Sequence, residues 1–206
     1  NSDWLSIFNR EFVVTALLAT AICANSMIVN DVFDARTDTE DDRNMIVTGD
    51  ITEQETLTYL AVSYPIILGS SVLFIDSLEI KALILSSLIL TILYTPFLKP
   101  KPWIKNISVA AIISCTPIVG AIAASGNLET ALTNPDSRLL TLIVTIFMGI
   151  MHQEIIMDIK DIENDKNTGI TTLPIKYGKD RAILISSLIL YRRGMAACNT
   201  QNTTAL

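Results

Sequence analysis

The chain has 206 residues, half of them hydrophobic and only 17% charged, with 15 Lys and Arg against 21 Asp and Glu for a net charge of −6. A soluble domain ordinarily carries about 25% charge, and here the deficit is concentrated in long runs that hold no charge at all. That pattern excludes disorder, a collagen-like chain and a disulfide scaffold. Acidic charge lying between apolar runs also excludes a nucleic-acid partner.

Uncharged runs cover Phe12–Asn30, Thr56–Ile75, Ala82–Leu98, Asn106–Leu128 and Leu139–Gln153, and a sixth, Ala182–Tyr191, stops short. Most reach the ~17–25 residues that cross a bilayer, where a backbone must satisfy its own hydrogen bonds and does so as helix. The expected fold is therefore all-α, a polytopic transmembrane helical bundle of five crossings and a stub, integral to the lipid bilayer. Residues 1–191 read as one partial membrane domain. Residues 192–206, opening on Arg192-Arg193-Gly194, read as a polar tail, disordered or belonging to a wrongly predicted chain end. Cys23 and Cys115 lie inside apolar runs as small core residues, and with Cys198 they form neither a zinc spacing nor an even-numbered framework.

Crossings alternate sides, so the connections after the first, third and fifth runs share one membrane face. That face carries Arg36, Arg43, Lys99, Lys101, Lys105, Lys160, Lys166, Lys176, Lys179 and Arg181, 10 of the 15 basic residues. The positive-inside rule assigns it to the cytosol or its organellar equivalent. The dense acidic clusters lie there too, so chemistry is expected on that face.

Two acidic patterns stand out on it. In Asn30-Asp31-Val32-Phe33-Asp34-Ala35-Arg36-Thr37-Asp38, the residues Asn30, Asp34 and Asp38 are spaced i, i+4, i+8. They share one stripe if the first helix continues past the membrane edge. Asp158, Asp161 and Asp165 are spaced i, i+3, i+7, and Glu154 extends that stripe back into the apolar run. Like charges one turn apart destabilise a helix. Their recurrence at one membrane depth implies a resident cation, and carboxylate and amide oxygens suit Mg²⁺. Because Mg²⁺ is typically shared between one or two carboxylates and a phosphate, the two stripes imply a phosphorylated ligand. Glu40, Asp41, Asp42, Asp50, Glu53 and Glu55 read instead as a solvated face. Tyr94-Thr95-Pro96-Phe97-Leu98-Lys99 falls on the same face. Its Tyr and Lys can hold phosphate oxygens or a departing anion, and each equally suits an interfacial anchor. His152, the single histidine, reads as a satisfied polar core residue.

At these residues the sequence resembles the UbiA superfamily of intramembrane prenyltransferases. Asn30-Asp31-x-x-Asp34-x-x-x-Asp38 is similar to that family's first aspartate motif. Asp161-x-x-x-Asp165, preceded by Asp158 and followed by Gly169-Ile170-Thr171-Thr172-Leu173-Pro174 and Gly178, is similar to the second. Tyr94 to Lys99 resembles the family's Tyr/Lys loop with one extra intervening residue. The resemblance covers nearly the whole chain to about Tyr191. It implies a UbiA-like bundle of about nine membrane helices, truncated at both ends here by the first helix and roughly the last two and a half.

The resemblance further implies Mg²⁺-dependent transfer of a prenyl group from a prenyl diphosphate to a small aromatic or lipid-like acceptor within the membrane. Asp34, Asp38, Asp161 and Asp165 would be the metal ligands. Asn30, Arg43, Lys99 and Asp158 would lie about the diphosphate, and Lys99, Tyr94 and Arg43 would serve the chemical step. The family often carries Arg-Pro shortly before the position of Gly49. This chain has Asn44-Met45 there with Arg43 one place earlier, so either Arg43 substitutes as the diphosphate contact or that contact is weakened. Lys160-Asp161 and Thr172-Leu173-Pro174 look closer to the lipid, tocopherol and chlorophyll branches than to the hydroxybenzoate branch. Two other readings compete: a non-catalytic remnant of the family, and a membrane cation transporter, which would place its acids near mid-bilayer rather than at helix ends.

Overall fold

The computed structural model describes residues 9–36, 44–133, 138–167 and 169–202, with side chains as far as residue 191. The regular elements among them are helical: α1 (Arg10–Asp34), α2 (Glu53–Phe74), α3 (Leu78–Leu93), α4 (Ile104–Ser114), α5 (Thr116–Ser125), α6 (Leu128–Thr133), α7 (Leu139–Lys160), α8 (Ile162–Asn167), α9 (Leu173–Tyr177) and α10 (Lys179–Asn202). Five stretches are long and apolar enough to span a bilayer, namely Arg10–Asp34, Glu53–Phe74, Leu78–Leu98, Ile104–Ser125 and Leu139–Lys160. They coincide with the five long uncharged runs, so the all-α, multi-crossing fold expected from charge exclusion is the fold observed. The helices group into two compact units, Asn1–Pro96 with Val119–Thr130, and Phe97–Ile118 with Ala131–Leu206.

In the first unit α1, α2 and α3 pack on one another through Leu18, Ile22 and Val29 of α1, Ile67 of α2, and Ile80 and Ile84 of α3, all buried. Lipid tails are as apolar as these side chains, so polar links between helices add specificity at about 0.6 kcal/mol each. Asn25 Nδ2 donates to Ser63 Oγ at 2.8 Å, joining α1 to α2, and the Tyr64 and Thr91 hydroxyls lie 3.3 Å apart, joining α2 to α3. The outward positions Leu17, Met27, Val62, Val72 and Leu73 are exposed, as a lipid-facing surface requires. Helix starts carry side-chain caps: Asn9 on α1, a reciprocal Thr52–Glu55 capping box on α2, and Ser77 on α3. The last turn of the third span widens into a π turn, Tyr94–Leu98, around Pro96, which has no N–H to keep the regular ladder.

In the second unit α7 is central. It is flanked by α4 and α10, and the short helices α8 and α9 pack on it and on each other. Buried Ile155, Leu173 and Ala182 form its apolar centre, with Trp103, Ile159, Ile185 and Ile189 packed against them. Ser186 Oγ lies 2.6 Å from His152 Nδ1, so the single histidine joins α10 to α7 as a satisfied polar core residue. The fourth span breaks at Cys115, between α4 and α5, and Pro117 falls in the first turn of α5, where its missing N–H costs nothing. The α10 backbone stays helical past Tyr191 as far as Asn202.

Candidate functional site

The first acidic motif sits at the end of α1. Asn30 and Asp34 lie one turn apart, both half-buried, and Asn30 Nδ2 donates to Asp34 Oδ2 at 2.6 Å. An amide one turn before the carboxylate replaces like-charge repulsion with a charge-assisted hydrogen bond. Contrary to the expectation of one helix through Asp38, α1 stops at Asp34 and Ala35 is its C-cap. Asp38 and Arg43 lie outside the described residues.

Asn44, where the resemblance leads one to expect arginine, is buried. Its Nδ2 donates to the Asp31 carbonyl at 2.9 Å, and its Oδ1 accepts from the Ile46 and Val47 N–H groups at 3.0 and 3.4 Å. Asn44 therefore ties the connection back onto the end of α1. A cavity of about 300 Å³ beside it meets α1 at Ile28 and Asp31; its lining includes neither Asn30 nor Asp34.

The second motif is built differently. Asp158, on the last turns of α7, is 1% exposed. Its Oδ1 lies 2.5 Å from Lys105 Nζ and its Oδ2 accepts from Asn106 Nδ2 at 3.1 Å. Both partners come from the first turn of α4. The entry to that helix is strained: Trp103 has φ 70° and ψ −50°, and the Ile104 N–H donates to the Pro102 carbonyl at 2.9 Å. This is a γ-turn of the rarer, strained hand, costing about 1–3 kcal/mol. Packing of Trp103 on the Ile155, Leu173 and Ala182 centre holds it, and with it the direction in which Lys105 and Asn106 leave the backbone.

Asp161 does not continue the stripe of Asp158. It is the exposed C-cap of α7, with φ −95° and ψ 12°, in the sparsely populated bridge region. The chain then restarts as α8, where Asp165 is buried and its N–H donates to the Asp161 carbonyl at 2.8 Å. The end of α8 closes as a Schellman motif, with Ile170 N–H to the Asp165 carbonyl at 2.8 Å and Gly169 N–H to the Lys166 carbonyl at 3.3 Å. That closure needs the left-handed φ of +73° that Gly169 supplies. Burial pushes the Asp165 carboxyl above its ordinary pKa. The Lys105 charge and the neighbouring Thr172 side chain pull it back, and the charges of Asp158 and Asp161 add to the rise.

Tyr94 opens the π turn and Lys99 follows it, and both are half-buried; Tyr94 belongs to the first unit and Lys99 to the second. Among the described residues no three His, Cys, Asp or Glu side chains converge as a metal cage. The oxygen donors instead come as sparse sets at helix ends, Asn30 with Asp34 in one unit, Asp161 with Asp165 in the other. Such sets fit Mg²⁺, which keeps water and phosphate oxygens in its remaining positions. The sequence reading missed Lys105 and Asn106 as site residues. Their signal was a charged side chain opening an uncharged run, because an ionisable group at a membrane helix end usually has a named partner.

A profile of the UbiA prenyltransferase family matches residues 2–198. Among curated relatives, digeranylgeranylglyceryl phosphate synthase of Pyrococcus abyssi is 34% identical over 167 residues, covering 81% of this chain and 56% of its own length. The protein of that name from Pyrococcus horikoshii is 32% identical over 180 residues, covering 87% and 61%, and that from Methanosphaera stadtmanae is 29% identical over 185 residues, covering 88% and 63%. The chain thus spans about three fifths of the length of these relatives. A solved structure described as giving insights into digeranylgeranylglyceryl phosphate synthase in membranes shares the fold. Its TM-score is 0.68 at 22% identity, over 90% of this chain and 63% of that one.

Proposed function

Because the chain belongs to the UbiA prenyltransferase family, we propose that it carries out Mg²⁺-dependent transfer of a geranylgeranyl group from its diphosphate to a glyceryl phosphate lipid that already bears one such group. The observation that carries this reading is the pair of oxygen-donor motifs at helix ends, in a chain whose curated relatives are named digeranylgeranylglyceryl phosphate synthase. In this reading Asp34 and Asp38 of the first motif and Asp161 and Asp165 of the second hold the metal, and Asn30 orients the first set through Asp34.

When bound, Mg²⁺ supplies the positive charge that steadies the diphosphate as it departs. Lys99 and Arg43 add fixed positive charge beside the same oxygens, and Tyr94 offers a hydroxyl to them. The carbon–oxygen bond of the donor breaks with its electron pair on the diphosphate. The acceptor hydroxyl oxygen then bonds to the prenyl carbon and gives up its proton to the released diphosphate. Apolar side chains of the spans exclude the water that would otherwise capture that carbon. Asp158 has both oxygens engaged by Lys105 and Asn106, so its part is to orient rather than to touch the donor. The active face is the one that holds most of the basic residues, facing the cytosol or its organellar equivalent.

The test is product analysis by mass spectrometry. The chain in lipid vesicles is given geranyl, farnesyl and geranylgeranyl diphosphates, with aromatic acceptors and with geranylgeranylglyceryl phosphate. The doubly prenylated glyceryl phosphate is expected with Mg²⁺ and not with EDTA. Prenylation of an aromatic acceptor alone would overturn the lipid assignment.

A further inference from the structure

Lys105 pairs its ammonium with a fully buried carboxylate. Its side chain is only 15% exposed and that of Asp158 is 0% exposed. The same ammonium also feels the carboxylates of Asp165 and Glu154. A protein cation therefore already sits among the acids of the second motif, fixed by the strained turn at Trp103. Beside it, Asn106 Oδ1 is buried and accepts no hydrogen bond among the described residues. The Lys105 ammonium lies on Asp158 Oδ1 and the Asn106 amide on Asp158 Oδ2, so both oxygens of that carboxylate are engaged by the protein itself.

We propose that Lys105 is a built-in counter-cation of the second acidic motif, which occupies Asp158 and confines the divalent metal to Asp161 and Asp165. This inference rests on the proposed reading that the motif binds a metal at all. It makes Lys105 a positioning residue, acting through Asp158 and through its repulsion of a second cation. Its consequence is specific: removing the ammonium should improve metal binding, whereas loss of a merely structural residue would weaken it.

The test is Mn²⁺ binding followed by electron paramagnetic resonance on the 206-residue chain in lipid nanodiscs, with Mn²⁺ alone and then with a non-hydrolysable prenyl thiolodiphosphate. Lys105→Met keeps the hydrocarbon stem and should bind Mn²⁺ alone about tenfold or more tightly than the parent, since a freed carboxylate acts at a few ångströms in a poorly polarisable setting. Lys105→Met/Asp158→Asn, which buries no unpaired charge, should return to within about threefold of the parent, because charge and counter-charge leave together. If Lys105→Met alone does not fold, Asp158→Asn and the double variant carry the same test, and removing the ammonium in that background must tighten Mn²⁺. Equal or weaker binding on removing Lys105 overturns the inference and leaves the proposed function standing. Absence of Mn²⁺ binding in the parent even with the thiolodiphosphate overturns both.

Discussion

The two acidic motifs have similar spacing and opposite construction. The first is an amide and a carboxylate one turn apart, half-buried at the end of α1, with the following connection tied down by Asn44. The second has a buried carboxylate neutralised by a lysine, an exposed carboxylate at a helix break, and a buried carboxylate on a new short helix. The difference teaches that acidic spacing alone does not say how the charge of the carboxylates is balanced. In the first motif an uncharged amide lowers the repulsion, and in the second a lysine does.

The largest expected effect is on turnover. Asp34→Ala in the first motif and Asp161→Ala in the second should each abolish prenyl transfer, exceeding the 10–100-fold loss typical of removing a group that merely supports a metal ligand. Full activity in either variant, measured as product by mass spectrometry, would remove that motif from the mechanism. Next come the supporting residues, where the two constructions separate. Asp158→Asn strands the Lys105 ammonium and should destabilise the protein by about 3–5 kcal/mol. Asn30→Ala removes one charge-assisted hydrogen bond at a half-buried site and should cost about 1.5–3 kcal/mol at most. Unfolding in detergent with a graded denaturant compares them, and equal losses would erase the distinction.

The membrane crossings were legible because a bilayer excludes charge, so runs such as Phe12–Asn30 and Leu139–Gln153 mark helices before any packing is known. Local breaks were not legible. The stop of α1 at Asp34 and the C-cap geometry of Asp161 depend on where the backbone finds its hydrogen-bond partners, and a periodicity of three to four residues runs through both. The α4–α5 break had a signal in Pro117, which lacks the N–H that a helix interior uses, but α2 runs through Pro65 unbroken, so the proline alone did not place the break. The Lys105–Asp158 pair was hidden because its members are 53 positions apart. Sequence could place Lys105 on the basic face but not against a particular acid. Asn44 was similarly opaque: the sequence marks it only as a departure from the family pattern, and in the fold it anchors the chain to Asp31.

Smaller effects sharpen the comparison further. Gly169→Ala meets no atom within 4 Å, so its cost is the left-handed backbone alone, about 1–2 kcal/mol. It should loosen Asp165 while leaving the first motif untouched, which amide hydrogen exchange across α1 and α8 would separate. The smallest expected effect is on pH. Proton and metal compete for the Asp165 oxygens, and its raised pKa brings that competition to higher pH than for an ordinary carboxylate. The Mn²⁺ concentration needed for half-saturation, read by electron paramagnetic resonance, should rise as pH falls, and this dependence should flatten in Asp165→Asn. An unchanged pH dependence in that variant would show that Asp165 is not the group in competition.

The most direct measurement is calorimetric binding of a non-hydrolysable geranylgeranyl thiolodiphosphate, with Mg²⁺ present, to the parent chain, to Asp34→Ala and to Asp161→Ala. Binding in the parent that disappears in both variants, and in EDTA, is the predicted result. Parent-like affinity in either variant, or in the absence of divalent metal, would contradict the claim that both motifs serve one metal-held diphosphate.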